Sequence, residues 1–251
     1  MTLEHRTRLD KRLVELGLAD NRSRAQFLLE NKMVFVNGAL VSKASMKVQA
    51  CSSITILGEH RAYVSRGALK LLHAFSVFDI DVRGAVALDL GAGTGGFTEV
   101  LLEQGARHVF SVDIGKDQLH PRLRNDPRVT DMGGIHAHDL HFGLLDPCPE
   151  WVVVDLSFIS LLKGLEGLLN SVCSPVSMIA LIKPQYENES ISFRHKGIVK
   201  EQSVYTQIHS RISEFLEEKN WKICSLTESS ILGKRGNKEF LLFVQYLPVV
   251  F

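Results

Sequence analysis

Four short apolar runs constrain this fold more than any other feature of the sequence. They are Ala85-Val86-Ala87-Leu88-Asp89-Leu90, His108-Val109-Phe110-Ser111-Val112-Asp113, Trp151-Val152-Val153-Val154-Asp155 and Ser177-Met178-Ile179-Ala180-Leu181-Ile182. A strand with one wet face alternates polar and apolar residues. These runs do not, so each is expected to be covered on both faces. Such strands, alternating with helices, predict a mostly parallel sheet in an α/β architecture. Two more strand candidates, residues 221–227 and 239–247, follow one another with Gly233 and Gly236 between them. Their succession predicts an antiparallel hairpin at the sheet edge.

The first 57 residues follow a different pattern. Leu9, Leu13 and Leu16 recur at helical spacing, and Gly17 offers a stop. A second short helix is predicted over 22–31, with Ala25, Leu28 and Leu29 on one side. Met33-Val34-Phe35-Val36 reads as a strand and Leu40-Val41 as its return. Between them Asn37-Gly38 is a hairpin signal, because both turn positions want φ > 0. Ser53-Ile54-Thr55-Ile56-Leu57 closes a small α+β module. Residues 58–63 read as a linker, and 64–251 as a second domain.

Charge divides along the same line. The chain carries 29 Lys+Arg against 28 Asp+Glu, which excludes a chain-wide cationic field. Residues 1–57 hold nine basic and five acidic residues, net +4; the remainder holds 20 and 23, net −3. A basic N-terminal piece in a near-neutral chain points to nucleic acid. Its candidate contacts are Arg8, Lys11, Arg12, Arg22, Arg24 and Lys32. Cys51, Cys148, Cys173 and Cys224 are far apart and form no CxxC pair. That argues against both a zinc site and a disulfide framework, and fits a cytoplasmic protein. No apolar run approaches the length of a membrane span, and the N-terminus lacks a signal-peptide core.

Asp89-Leu90-Gly91-Ala92-Gly93-Thr94-Gly95-Gly96-Phe97 follows a strand and opens a helix. Glycines there permit φ > 0 and let backbone approach a ligand closely. The next strand ends in Asp113, placed to accept both ribose hydroxyls of a nucleoside. Gly91, Gly93 and Gly96 formally satisfy the dinucleotide fingerprint, so NAD is one candidate. Asp89 favours another: a carboxylate beside a pyrophosphate is repelled, whereas the ammonium and sulfonium of S-adenosylmethionine are attracted. Gly91, Ala92, Gly93 and Gly95, with Asp89 and Asp113, are therefore the candidate cofactor-binding residues. Asp139, in His136-Ala137-His138-Asp139, follows a predicted strand and is placed to accept from an adenine amino group. The His-x-His spacing there also matches metal ligands, but no metal is expected.

Four charged residues stand at the ends of predicted elements: Lys70, Asp155, Lys183 and Glu239. A charge at the end of a buried strand is expensive unless paired, so a Lys/Asp/Lys/Glu set on a nucleoside-binding scaffold suggests chemistry. Methylation of a ribose 2′-hydroxyl needs a base for its proton. A lysine acts as one only when neutral, a form that burial and a nearby ammonium favour. Lys183 is the candidate base and Lys70 the neighbouring ammonium, with Asp155 and Glu239 orienting the two.

The N-terminal residues Arg8-Leu9-Asp10, Leu13-Val14-Glu15-Leu16-Gly17-Leu18-Ala19, Arg22, Ala25 and Val34-Phe35-Val36-Asn37-Gly38 resemble the S-four RNA-binding domain, named after a small-subunit ribosomal protein. Further on, Tyr63-Val64-Ser65-Arg66-Gly67 with Lys70, Thr94-Gly95-Gly96-Phe97-Thr98, Asp155-Leu156-Ser157-Phe158-Ile159-Ser160, Ile182-Lys183-Pro184-Gln185-Tyr186-Glu187 and Gly236-Asn237 with Glu239-Phe240 resemble the TlyA family. Its members are described as hemolysins and as ribosomal RNA methyltransferases, with a catalytic part similar to FtsJ-type ribose 2′-O-methyltransferases. The resemblance implies a Rossmann-like methyltransferase sheet with an antiparallel C-terminal hairpin, preceded by the small α+β RNA-binding domain. It also implies S-adenosylmethionine, ribosomal RNA as substrate, methylation of a cytidine 2′-hydroxyl, and a catalytic tetrad on Lys70, Asp155, Lys183 and Glu239. Arg66 joins the RNA-facing set. No protein partner is evident. The competing expectations are a non-catalytic ribosome-binding factor, a membrane-active hemolysin and an NAD-linked oxidoreductase.

Overall fold

A computed structural model describes residues 6–19, 21–30, 33–37, 39–56, 63–187, 198–199 and 201–248. Predicted linker residues 58–62, the candidate RNA contact Lys32, Asn31 at the end of the second predicted helix, Gly38 of the predicted turn and Leu57 lie outside the described residues. The chain divides into two compact units, Met1–Tyr63 and Val64–Phe251.

The first unit contains β1 (Thr7–Arg8), α1 (Leu9–Glu15), α2 (Arg22–Glu30), β2 (Val34–Val36), β3 (Ala39–Val41), β4 (Lys47–Val48) and β5 (Ile54–Ile56). Strands β3, β2 and β5 form an antiparallel sheet in that order. A short β1–β4 bridge, too brief to carry a sequence signal, ties the start of α1 to the module. Leu9 and Leu13 stack one turn apart on α1 and are fully buried against Ala25, Leu28 and Leu29 of α2 and Val34 and Val36 of β2. Each such leucine contributes about 1.5–3 kcal/mol by leaving water. Leu16, expected on the same row, is 43% exposed. It caps α1 instead of continuing it, because Gly17 turns the chain at φ +68°.

The second unit is built from α3 (Gly67–Val77), β6 (Val86–Leu90), α4 (Gly96–Glu103), β7 (His108–Asp113), α5 (Pro121–Arg124), β8 (Val129–Gly133), β9 (Trp151–Val154), α6 (Leu161–Ser171), β10 (Val176–Ile182), α7 (Pro184–Glu187), α8 (Gln202–Glu218), β11 (Trp221–Glu228) and β12 (Phe240–Tyr246). Its seven strands run in the order β11-β12-β10-β9-β6-β7-β8. The pairs β10–β9, β9–β6, β6–β7 and β7–β8 are parallel, while β12 is antiparallel to both β10 and β11. The expected hairpin is present, with β11 as the edge and β12 inserted beside β10. Edge strand β8, Val-Thr-Asp-Met-Gly, has no fully buried residue and so left no apolar run to detect.

Alternation along the strands sorts their side chains. Val86, Leu88, Leu90, Val152, Val154, Met178 and Ile182 face Leu165 and Leu168 of α6 and Ile208, Ile212 and Leu216 of α8. Asp89 lies on the opposite face, where Thr98 of α4 meets it. From central β6 the chain winds outward to β7 and β8, then returns to β9 on the other side. The strand order therefore reverses between β6 and β9, and a crevice opens beyond their carboxyl ends.

Candidate active site

The glycine loop lies at that reversal. Gly91, Gly93 and Gly95 take φ values of +87°, +52° and +95°. The N–H groups of Gly91 and Ala92 both donate to the Val112 carbonyl, at 2.8 and 3.0 Å. A Cβ on Gly91 would lie 2.7 Å from the Asp155 carbonyl oxygen, so only glycine lets the loop pass the next strand. Nothing lies within 4 Å of the corresponding position on Gly93, which faces open space.

Two acids frame the loop. Asp113, at the end of β7, accepts from Gly93 N–H at 2.9 Å and Gly115 N–H at 2.8 Å, one to each oxygen. Each oxygen keeps a lone pair for a hydroxyl donor. Asp89 is fully buried. Its Oδ2 accepts from Thr98 N–H at 2.8 Å and Thr98 Oγ1 at 2.6 Å. Its buried Oδ1 has no hydrogen-bond partner among the described residues. Burial pushes the Asp89 carboxyl up to about 7, against the pull of Thr98. An orphaned carboxylate oxygen, a partly free acid and an open glycine crest fit a cationic nucleoside such as S-adenosylmethionine. Asp139 ends a short 3-10 turn, Ala137–Asp139, and is exposed, with Oδ1 3.3 Å from His138 Nε2. The His136 and His138 rings stand 5.3 Å apart, and no metal-ligating group of three side chains forms among the described residues.

The four charged residues expected to act together do meet. Lys70 lies on the first turn of α3, Asp155 directly follows β9, Lys183 directly follows β10, and Glu239 directly precedes β12. Because β12 runs against β10, Phe240 pairs with Ile182, which sets Glu239 beside Lys183 at one sheet edge. The charges alternate in space. Lys70 Nζ is 2.6 Å from Glu239 Oε2 and 4.0 Å from Asp155 Oδ2, while Lys183 Nζ is 2.5 Å from Asp155 Oδ1. Lys70, Lys183 and Glu239 are buried, and two cations against two anions make that burial tolerable.

Three features of the site escaped the sequence reading. Lys183 Nζ also donates to Ser157 Oγ at 2.7 Å. Phe158 is 85% exposed at φ +68°, a conformation costly for an aromatic residue, and its ring lies 5.4 Å from that of Tyr186. Buried Glu187 accepts from Leu161 N–H at 2.7 Å, and Arg211 donates to its carbonyl and its carboxylate at 2.7 and 3.2 Å. Burial raises the Glu187 carboxyl above its ordinary range. This bond joins the segments that carry Asp155 and Lys183 at their far ends. Only their place inside the quoted motifs marked these residues.

The basic N-terminal residues are partly engaged within their own unit. Arg8 and Arg22 both bond Asp10, Arg12 donates to the Ala50 carbonyl at 3.1 Å, and Lys11 stands 3.8 Å from Glu15. Arg24 lies over the Phe27 ring at 4.6 Å. In the second unit Arg66 donates to the Leu232 carbonyl.

Comparison with known proteins agrees with this geometry. The family model for FtsJ-like methyltransferases matches residues 63–246, and that for the S4 domain matches residues 7–54. A Mycobacterium tuberculosis protein named 16S/23S rRNA (cytidine-2'-O)-methyltransferase TlyA is 35% identical, over 97% of this chain and 91% of its own length. Hemolysin A of Brachyspira hyodysenteriae is 34% identical, over 93% of this chain and 98% of its own. A solved Streptococcus thermophilus structure with a provisional hemolysin label superposes with a TM-score of 0.72 at 32% identity, covering 97% of this chain and 90% of that one. With matches that span both units and the sheet edge where the four charges meet, the chain belongs to the FtsJ-like methyltransferase family and, within it, to the TlyA group.

Proposed function

We propose that this chain is an S-adenosylmethionine-dependent ribosomal RNA methyltransferase acting on the 2′-hydroxyl of a cytidine ribose. The observation that carries the reading is the alternating Glu239–Lys70–Asp155–Lys183 chain beside the glycine loop. The name of the M. tuberculosis relative supports the substrate and the atom attacked.

S-adenosylmethionine supplies an electrophilic methyl group when bound. In this reading Asp89 Oδ1 takes its ammonium, Asp113 its ribose hydroxyls and Asp139 its adenine amino group. The backbone of Gly91, Ala92, Gly93 and Gly95 lines the approach. Lys183 Nζ, in its neutral form, would accept the proton from the RNA 2′-hydroxyl, whose oxygen would take the methyl group that the cofactor supplies. Asp155 and Ser157 fix the position of Nζ. Lys70 adds the local positive charge, and Glu239 and Asp155 hold it in place. Holding the RNA 2′-hydroxyl against the supplied methyl group would contribute most of the acceleration.

Residues 1–57 serve as an RNA-docking module joined by the linker 58–63 to the methyltransferase domain 64–251. Arg8, Lys11, Arg12, Arg22, Arg24 and Lys32 contact RNA there, and Arg66 does so near the active site. Tethering raises the effective concentration of the site at its target. On this reading the protein works in the cytoplasm, where a ribosomal substrate is met. Among the described residues no helix is long and apolar enough to cross a membrane.

The test incubates the protein with methyl-labelled S-adenosylmethionine and ribosomal subunits from a strain lacking the gene, then maps the label by nuclease digestion and mass spectrometry. Label on a cytidine ribose is the expected result. Cofactor binding without label on naked RNA, subunits or whole ribosomes would leave a binding factor in place of an enzyme.

A further inference from the structure

The loop between β11 and β12 is pinned by hydrogen bonds and basic at its tip. Ser229 N–H donates to the Glu239 carbonyl, Gly233 N–H to that of Asn237 and Gly236 N–H to that of Gly233, each at 2.8 Å. Buried Asn237 accepts from Val199 N–H at 2.9 Å through its side chain, and Arg66 holds the Leu232 carbonyl. Gly236 turns the chain at φ +88°. A Cβ on Gly233 would collide with the Glu239 carboxylate, so the tip begins one residue from the tetrad.

That tip is Lys234-Arg235, and both residues are exposed. The surrounding unit is acidic overall: residues 64–251 hold 19 Lys+Arg against 22 Asp+Glu. Its other described arginines each bond a carboxylate or, for Arg66, a carbonyl. Arg235 alone among them makes no hydrogen bond or ion pair with any described residue, and Lys234 makes none either. Lys238, by contrast, is paired with Glu228 at 2.9 Å. Two adjacent cations with no carboxylate partner among the described residues, set on a preformed turn, repel each other unless a polyanion lies across them. A turn held by backbone bonds presents them with little ordering cost on binding.

We propose that the turn at residues 233–236 is a phosphate prong, which grips the RNA backbone beside the nucleotide whose ribose is methylated. The inference rests on the RNA methyltransferase reading above and adds to it a contact that places the substrate strand against Glu239 and Lys70.

The test uses the full chain and ribosomal subunits or RNA transcripts, with methyl transfer measured across a salt series. In the Lys234→Ala/Arg235→Ala double variant, KM for RNA rises about tenfold near physiological salt while kcat stays within about twofold. The slope of log(kcat/KM) against log salt becomes shallower by about 1.4, the loss of two phosphate contacts on a single strand. Lys234→Glu/Arg235→Glu raises KM further. Lys222→Ala, which removes an exposed lysine on β11, changes neither KM nor slope. S-adenosylmethionine affinity is the same in all variants. An unchanged KM and slope in the double alanine variant would overturn the prong, as would a fall in kcat at constant KM. Absence of methyl transfer by the wild-type chain would overturn the underlying reading, and the prong with it.

Discussion

Each unit of the molecule holds an aspartate between two cations, and the two arrangements differ in kind. In the N-terminal unit the Asp10 side chain is fully buried. Arg8 bonds it through two nitrogens at 3.0 Å, Arg22 at 2.9 Å, and the Lys11 N–H at 2.9 Å. These bonds, those of Arg8 foremost, hold its carboxyl well below the usual range. In the second unit Asp155 stands between Lys183 and Lys70. The difference lies in the cation. Arginine does not give up its proton in a protein and spreads its charge over a planar fork, which suits a permanent clamp. Lysine exists in a neutral form, and a neutral lysine is a base. A buried acid flanked by arginines is structure; on the function proposed above, the partly buried Asp155 between two lysines serves proton transfer.

The comparison breaks most sharply if the cations are exchanged. Lys183→Arg keeps the charge and removes the base, so kcat falls by about 10²–10⁴-fold with S-adenosylmethionine binding intact, as single-turnover methylation and calorimetry would record. Retention of kcat would show that no proton passes through Lys183. Next in size is Asp10→Ala, which takes the shared acceptor from Arg8 and Arg22. It costs the N-terminal unit about 2–3 kcal/mol, measurable by denaturant unfolding, and leaves cofactor affinity unchanged.

A pH series sharpens the contrast further. Asp10 has a lowered folded value, so its stabilisation is present above the ordinary carboxylate range and is lost as pH falls through the folded value. Asp89 has the opposite sign. Raised to about 7 by burial, it contributes stability that is present in acid and is lost as pH rises towards 7. Because a cationic cofactor selects its carboxylate, S-adenosylmethionine affinity should climb with pH by up to about tenfold per unit below 7 and then level off. Calorimetry between mildly acidic and neutral pH checks this, and Asp89→Asn should flatten the curve. The smallest effect belongs to Arg22→Lys. Arg22 is 62% exposed and Arg8 still holds Asp10, so stability should change by less than about 1 kcal/mol in thermal unfolding.

What could be read from the sequence follows from burial. Strands β6, β7, β9 and β10 are covered on both faces, so their composition alone marked them. The four tetrad residues were visible because each interrupts or ends an element that otherwise reads as apolar. Polar edge strand β8 and the two-residue bridge of β1 with β4 gave no such contrast. Leu16 followed the helical period but not the helix, since Gly17 ends α1 before that position can turn inward. Ser157 and Glu187 are held by hydrogen bonds set by tertiary packing, and no periodicity encodes them. Arg8 and Arg22 were read as RNA contacts from charge alone. Each also has a structural bond to Asp10, yet keeps 47% and 62% of its side chain exposed, enough for a fork with five donors to serve both ends.

Strand order also has a consequence in time. Of the seven strands in the large sheet, β12 is made after every other, yet it inserts between β10 and β11 and brings Glu239 to Lys70. Chains emerge from the ribosome N-terminus first, and their early parts begin to fold before the late ones appear. A nascent chain that has exposed the glycine loop, Asp155 and Lys183 still lacks the carboxylate nearest Lys70. On the function proposed above, the four-residue site is completed last, by the strand that must insert between two neighbours already made.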